Sequence, residues 1–318
     1  MSIQQTLTQL IQAAHESRAS DIHFMLEAEA VTVKFRLGSE MKLHETLTEA
    51  TYNQLLAYIK FHASLTLAHP KQPQSGSMTI HGDGFLVNIR VSIIPTYRYQ
   101  SLVLRIINQQ NRIPLEDIPY FPQNAETLKE MVNAQAGLIL ISGPTGSGKT
   151  TTAYSLLQFL KDQGKSIVTI EDPVEYQMPD IVQIQVNESM GMTYDAGIRE
   201  ILRHDPDVIV IGEIRDAQTA VQAIRASLTG HLVISTVHSK NVLGTIHRLL
   251  DLGIAAQELE QSLIGVINQR LIKGQTDYKA LLEICFGADL EQMFASGLQE
   301  KSYRTLDEEY DLWQQTAS

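Results

Sequence analysis

The run Gly143-Pro144-Thr145-Gly146-Ser147-Gly148-Lys149-Thr150 constrains this chain more than any other stretch. It follows four apolar residues, Leu138-Ile139-Leu140-Ile141, and opens a segment with helical spacing. An apolar strand, a glycine-rich turn and a helix in that order make a phosphate-binding P-loop. The glycines let consecutive backbone N–H groups turn inward around oxyanions at the positive end of a helix. Lys149 is placed to reach the β- and γ-phosphates of a nucleotide, and Thr150 Oγ1 to ligate Mg²⁺, with Thr151 next along the helix. A glycine turn ahead of an ordinary helix would leave both the position of Lys149 and the preceding strand to coincidence.

The residues around this loop read as two domains. In the first, Ile3, Leu7, Leu10, Ile11 and Ala14 fall near one helix face over 3–16. A β region starts at Ser20-Asp21-Ile22-His23-Phe24, and residues 31–37 alternate apolar and polar. Gly38-Ser39 reads as a hairpin turn, 49–63 as a second helix, and 76–81, 85–94 and 101–107 as strands after a proline-rich segment at 70–73. Gly82-Asp83-Gly84 joins the first two of these as a tight hairpin. Prolines at 114, 119 and 122 interrupt the pattern. The expected division is an α+β domain over 1–108, a linker over 109–122 and an α/β nucleotide domain over 123–318.

The second domain alternates helix and strand: helix 124–134, strand 138–142, helix 149–161, strands 166–171 and 181–186, helix 194–203, strand 207–212, helix 216–228, strand 231–237 and helix 241–251. Uninterrupted apolar strands such as Val208-Ile209-Val210-Ile211 suit a parallel sheet covered on both faces. Residues 255–272, 289–296 and 304–315 read as helices, so a small helical cap is expected at the C-terminus.

At 318 residues the chain is long enough for two sizeable cores. Its net charge of −11 disfavours DNA or anionic lipid as the main partner, without excluding a local positive channel. Direct nucleic-acid binding is not expected. No apolar stretch reaches the roughly 18–20 residues of a membrane span, and the N-terminus lacks a signal-peptide pattern, so a cytoplasmic location is expected. Cys285, the single cysteine, reads as a small buried apolar residue. An intrachain disulfide and a multi-cysteine zinc site are excluded, and no zinc is expected.

Hydrolysis needs Mg²⁺, an oriented water and positive charge near the γ-phosphate. Glu171 and Glu213 each end an apolar strand, and carboxyl strand ends surround the ligand crevice of an α/β sheet. One would polarise the attacking water and the other hold the Mg²⁺ hydration shell; the residues alone leave the two roles open. Asp172 and Glu175 are secondary candidates, Asp172 also suiting a turn before Pro173 and Glu175 a solvated surface. His231 and His238 bracket the strand Leu232–Val237 at opposite ends, a spacing that does not suit one shared metal. His238 falls at the carboxyl end, where it would sense the γ-phosphate; His231 reads as structural. Arg36, Arg90 and Arg105 lie on or beside strands of the first domain, where a positive surface would meet phosphates bound by another domain or subunit. Arg203 and Arg215 are further candidates, as partners of Asp205 or Glu213.

Four blocks, GPTGSGKTTT at 143–152, IEDPVEY at 170–176, RHDPDVIVIGEIRD at 203–216 and TGHLVISTVHS at 229–239, together with SDIH at 20–23, resemble the hexameric ATPases of type II secretion and type IV pilus systems. The resemblance covers about residues 5–285 and implies an ATP- and Mg²⁺-dependent P-loop NTPase with a RecA-like core behind a smaller PAS-like domain. It implies that Lys149 and Thr150 hold phosphate and Mg²⁺, that Glu171 is the general base, and that Glu213 is the Walker B glutamate acting on the metal through water. It further implies that His231 and His238 link nucleotide to neighbouring elements, and that Arg90 and Arg105 close onto the γ-phosphate. A ring of six subunits, attached peripherally to the cytoplasmic face of the membrane through a polytopic platform protein, is the implied assembly. The compact N-terminus and single cysteine look most like the competence ATPases of Gram-positive bacteria, which power a transformation pseudopilus. Retraction and secretion ATPases are the nearest alternatives; a ring nucleic-acid motor and a non-hydrolysing scaffold are disfavoured by the acidic charge and by the intact Lys149, Glu171 and Glu213. Residues 264–286 are shortened relative to typical members.

Overall fold

Two units make up the computed structural model, one formed by residues 1–111 with 175–177 and the other by 112–174 with 178–318. The described residues are 2–317 without 28–29, 39, 69–70, 83–84, 108–112, 176, 274–277 and 300. The Gly82-Asp83-Gly84 turn beyond Gly82, Ser39 of the first hairpin turn, Pro70, Tyr176 and residues 109–112 of the expected linker lie outside them.

In the first unit, α1 (Ile3–Glu16) starts at Ser2, whose side chain accepts from Gln5 N–H while the Gln5 side chain returns to Ser2 N–H. It buries Leu7, Leu10, Ile11 and Ala14. There follow β1 (Asp21–Glu27), β2 (Ala30–Leu37), β3 (Glu40–Thr48), α2 (Glu49–His62), β4 (Gln74–Gly82), β5 (Phe85–Pro95) and β6 (Gln100–Ile107). The strands form one antiparallel sheet in the order β3-β2-β1-β6-β5-β4. Strand β3 has no apolar stripe to announce it: Met41 and Leu43 are exposed on this edge.

Register carries four charged residues across this sheet in one row. Asp21 faces Arg36 on one side and Arg105 on the other, and Arg105 faces Arg90. Asp21 is buried; Arg105 Nε donates to it at 2.8 Å, and Arg36 Nε lies 3.7 Å away. Burial works against the charged form of Asp21, but hydrogen bonds from Arg105 and Ser20 outweigh it and hold the carboxyl below its ordinary range.

In the second unit, residues 113–122 are packed rather than free. Leu115, Ile118 and Phe121 are buried, Leu115–Asp117 forms a 3₁₀ turn, and Ile118 and Tyr120 exchange backbone hydrogen bonds with Ala280. The unit continues through α3 (Gln123–Val132), β7 (Gly137–Ser142), α4 (Lys149–Asp162), β8 (Ile167–Glu171), β9 (Val182–Gln185), α5 (Tyr194–Ile201), β10 (Val208–Ile211), α6 (Ala217–Leu228), β11 (Leu232–Val237), α7 (Val242–Asp251) and α8 (Ala256–Ser262) to β12 (Leu263–Lys273), β13 (Tyr278–Phe286), α9 (Ala288–Ala295) and α10 (Leu306–Ala317). Its sheet runs β13-β12-β7-β11-β10-β8-β9, parallel throughout except for β13. Every residue of β7, β8 and β10 is buried, as strands covered on both faces require.

The expected helical cap is corrected here. Only α8, over 256–262, is helical in the stretch 255–272; residues 263–273 are β12, which pairs parallel with β7, and β13 closes the edge as a hairpin. Leu263, Ile264, Ile267 and Leu271 fit helical spacing, but β-branched residues beside an open edge of β7 favour the strand. Close approach also decides the site: a Cβ on Gly265 would come within 2.5 Å of Met131 Sδ on α3. Helices α9 and α10 do form.

Glu283 on β13 is 1% exposed, and burial raises its pKa from its ordinary range to about 7, against the lowering effect of the Val242 N–H that its carboxylate accepts. A carboxyl with a raised folded pKa binds more protons in the native state, so stability falls as pH rises from its unfolded value to about 7. Glu283→Gln is expected to remove that slope, making the variant more stable than wild type by on the order of 2–3 kcal/mol at about pH 8 and by little at about pH 4. Urea denaturation at both pH values checks it.

Candidate functional site

The carboxyl ends of the parallel strands hold the P-loop, His238, Glu213 and Glu171. The P-loop follows β7, His238 follows β11, Glu213 lies two residues beyond β10 and Glu171 ends β8. Strand order sets the P-loop beside His238, His238 beside Glu213, and Glu213 beside Glu171.

Helix α4 begins at Gly148, which has φ of +87° and gives the helix no side-chain cap. Gly143 and Gly146 also have positive φ, at +144° and +80°. A Cβ on Gly143 would stand 2.5 Å from the Gln269 carbonyl oxygen and 2.6 Å from Ser147 Oγ, so the loop has room for glycine alone there. The first intrahelical hydrogen bond is Thr152 N–H to Gly148 O, which leaves the N–H groups of Lys149, Thr150 and Thr151 at the helix start without intrahelical acceptors. An uncapped helix N-terminus behind a glycine turn fits a phosphate chain. Pro144, Thr145 and Gly146 are exposed at the loop's tip, whereas Ser147 is buried beneath it.

Lys149 Nζ donates to Gly143 O at 2.9 Å and Pro144 O at 3.1 Å, and lies 3.4 Å from His238 Nδ1. Burial lowers the Lys149 pKa, with the Glu213 charge opposing the shift. His238 Nε2 stands 3.3 Å from Glu213 Oε1, and Arg215 Nε donates to Glu213 Oε2 at 2.9 Å. That hydrogen bond raises the Arg215 pKa. Arg215 Nη1 is also 3.5 Å from Asp172 Oδ2. A continuous polar chain therefore runs Lys149–His238–Glu213–Arg215–Asp172. The exposed Thr150 and the carboxylate of Glu213 offer hard oxygen donors of the kind Mg²⁺ takes.

Glu171 stands apart from this chain. It is 5% exposed, with Oε2 accepting from Tyr154 O–H at 2.5 Å and Oε1 from Thr169 Oγ1 at 2.6 Å, and Gln183 Nε2 at 3.3 Å. Nothing in the spacing announced Tyr154 as its partner, since an aromatic inside a helix reads as core. His231 Nδ1 lies 3.2 Å from both Ala226 O and Thr229 Oγ1, closing the end of α6 at the opposite end of β11. Arg203 pairs with Glu200 at 2.5 Å rather than with the expected Asp205, because the helical i,i+3 spacing brings Glu200 within reach. Arg90 and Arg105 lie in the first unit, Arg105 on Asp21. Cys285 is buried, and burial pushes its thiol up to about 12.

Two further residues hold the loop. Asn268 Nδ2 donates to Ser142 Oγ at 2.8 Å and to Ser239 O at 3.3 Å, and Gln269 Nε2 donates to Ser147 O. Both were hidden by the helical reading of 255–272. A small cleft of about 100 Å³ beside the loop is lined by Gly148, Thr151, Gln269, Leu271, Tyr278 and Asp117 among others. Among the described residues no helix is long and apolar enough to cross a membrane.

The family described as type II/IV secretion system protein matches residues 1–304. The chain is 40% identical over 272 residues to the competence protein ComGA of Bacillus subtilis (strain 168), covering 85% of this chain and 76% of that one. It is 40% identical over 261 residues to the type II secretion system protein E of Pseudomonas aeruginosa, covering 82% and 52%. Among solved structures, the pilus retraction motor PilT with bound ADP gives a TM-score of 0.78 at 29% identity, over 97% of this chain and 93% of that one. The ATPase DotB of Legionella pneumophila shares the fold, with a TM-score of 0.79 at 20% identity over 99% and 92%. With a family match across nearly its whole length and relatives of this identity, the chain belongs to the type II/IV secretion system protein family and has its α/β fold.

Proposed function

We propose that the chain is an ATP-hydrolysing motor that powers assembly of a type IV-like competence pseudopilus. The observation that carries this reading is the convergence of Lys149, His238 and Glu213 beside an uncapped P-loop helix. The competence relative supports the choice of system, since the chain covers 76% of it against 52% of the type II secretion protein.

In this reading the P-loop N–H groups and Lys149 hold the phosphate chain. Thr150 and, through water, Glu213 would hold Mg²⁺, which would neutralise charge on the phosphate oxygens. Glu171 takes the proton of the attacking water, with Tyr154 and Thr169 fixing its orientation. His238 bridges Lys149 and Glu213, so a change in phosphate charge on one side is felt on the other. Arg90 and Arg105, from the PAS-like first domain of the same or a neighbouring subunit, complete the RecA-like site. For Arg105 this requires exchanging its bond to Asp21 for one to phosphate. The working form is a hexamer seated on a polytopic membrane platform protein at the cytoplasmic face.

Phosphate release from ATP and Mg²⁺, measured with and without the cytoplasmic part of the platform protein, tests the function. Turnover that the partner stimulates is expected; none under either condition would overturn the reading. Arg90→Ala and Arg105→Ala are each expected to lower turnover by about 10²–10³-fold while leaving ATP affinity within a small factor. Unchanged turnover in both removes the arginine closure.

A further inference from the structure

Strand β12 runs parallel to β7 with Asn268 opposite Ser142, so Gln269 stands one residue further on, level with the first P-loop glycine. The two backbones touch there: a Cβ on Gly143 would meet the Gln269 carbonyl oxygen at 2.5 Å. Gln269 is wholly buried, and its Nε2 donates to the Ser147 carbonyl at 2.5 Å. Its Oε1 is also buried and has no hydrogen-bond partner. An apolar side chain of similar size would fill this position without that desolvation cost, so the amide is there for its donor.

The donor acts on a peptide plane. In a trans peptide the carbonyl of one residue and the N–H of the next point in opposite directions. Holding the Ser147 carbonyl toward β12 turns the Gly148 N–H away from β12. That N–H meets no acceptor among the described residues. Gly148 itself, at φ +87°, has no side chain to resist a flip of this plane, and a Cβ there would lie 3.2 Å from Gln269 Nε2. Ser147 N–H is already committed to Pro144 O at 3.2 Å, which fixes the plane before it but not this one.

We propose that Gln269 is a positioning residue for phosphate binding: it locks the Ser147–Gly148 peptide so that the Gly148 N–H is aimed at the nucleotide's phosphate chain before the nucleotide arrives. This rests on the ATP-site reading above. It also gives the C-terminal hairpin a role in the site, because β12 delivers Gln269 to the loop and Asn268 to the Ser142–Ser239 junction. A nucleotide binding to the unlocked loop must first set that peptide, and the cost appears in affinity for ADP as well as ATP.

The test is ADP affinity in Gln269→Glu and Gln269→Met, with thermal unfolding measured in the absence of nucleotide. Glutamate keeps the shape but turns the donor into an acceptor facing a carbonyl; methionine removes the donor without charge. Both variants are expected to bind ADP about 10- to 100-fold more weakly than wild type at neutral pH. At about pH 5, against wild type at the same pH, Gln269→Glu is expected to recover part of the loss as its carboxyl regains a proton, and Gln269→Met is not. A purely structural role would instead lower the unfolding temperature without nucleotide in parallel with ADP affinity, with the same pH dependence in both. If Gln269→Glu does not fold, Gln269→Met alone decides. ADP affinity unchanged in the folded variants, or a loss in Gln269→Glu that acidification leaves untouched, overturns the proposal. Wild-type protein that binds no ADP overturns the ATP-site reading and this inference with it.

Discussion

Glu171→Gln is expected to bind ATP nearly as wild type does and to lose about 10²–10⁴-fold in phosphate release, as removal of a general base requires. The substitution is close to isosteric. Tyr154 and Thr169 hydroxyls, which donate to the two carboxylate oxygens, can rotate to accept from an amide N–H, so the packing between β8 and α4 survives. What disappears is the ability to take a proton from water. The burial of Glu171 sharpens the expectation, since a side chain 5% exposed and held by two hydroxyls has little freedom to be replaced by a neighbour. Phosphate release at saturating ATP, set beside equilibrium binding of a fluorescent ATP analogue, separates the two effects. Hydrolysis at the wild-type rate would move the base assignment to Glu213, which stands on the other side of Gly212 in the Lys149–His238 chain.

Lys149→Ala is expected to fail one step earlier. The ammonium donates to two loop carbonyls, Gly143 O and Pro144 O, and neighbours His238 Nδ1. These are the contacts it would exchange for phosphate oxygens, so the position is pre-set and half-buried. Burial already disfavours the charged form, with Glu213 compensating, which makes an anionic ligand a favourable new partner. Removing the ammonium should weaken ATP by about 10- to 100-fold through the lost charge-assisted bonds alone. Hydrolysis should fall further, because charge on the transferring phosphoryl group is then less well neutralised. Calorimetric titration with ATP checks the affinity; binding equal to wild type would remove Lys149 from the site.

The parallel core was legible because its strands are buried on both faces and therefore read as unbroken apolar runs, as at 138–141 and 208–211. The same runs end on Glu171, Glu213 and His238, so their place at the carboxyl edge followed from the strands. What the sequence could not separate was β12 from a helix, since its apolar residues satisfy both spacings and only the open edge of β7 decides. That single ambiguity concealed Asn268 and Gln269. Long-range pairings were hidden for a different reason. Arg105 finds Asp21 across 84 residues through sheet register, and Tyr154 finds Glu171 through the packing of a helix on a strand. Neither contact leaves a local pattern. Edge strand β3 was obscured because its apolar residues Met41 and Leu43 stay exposed on the open edge and a bulge in its pairing with β2 breaks the alternation.

The central claim, that the 143–150 loop and the strand-end carboxylates form one hydrolytic site, is tested most directly by the identity of the bound nucleotide. Wild type, Glu171→Gln and Lys149→Ala are each mixed with ATP and Mg²⁺, separated rapidly from free nucleotide, quenched in acid and analysed by chromatography. The account predicts ADP on wild type, ATP on Glu171→Gln and little nucleotide on Lys149→Ala. ADP on Glu171→Gln in the amount found on wild type, or nucleotide retained equally by Lys149→Ala, would contradict it.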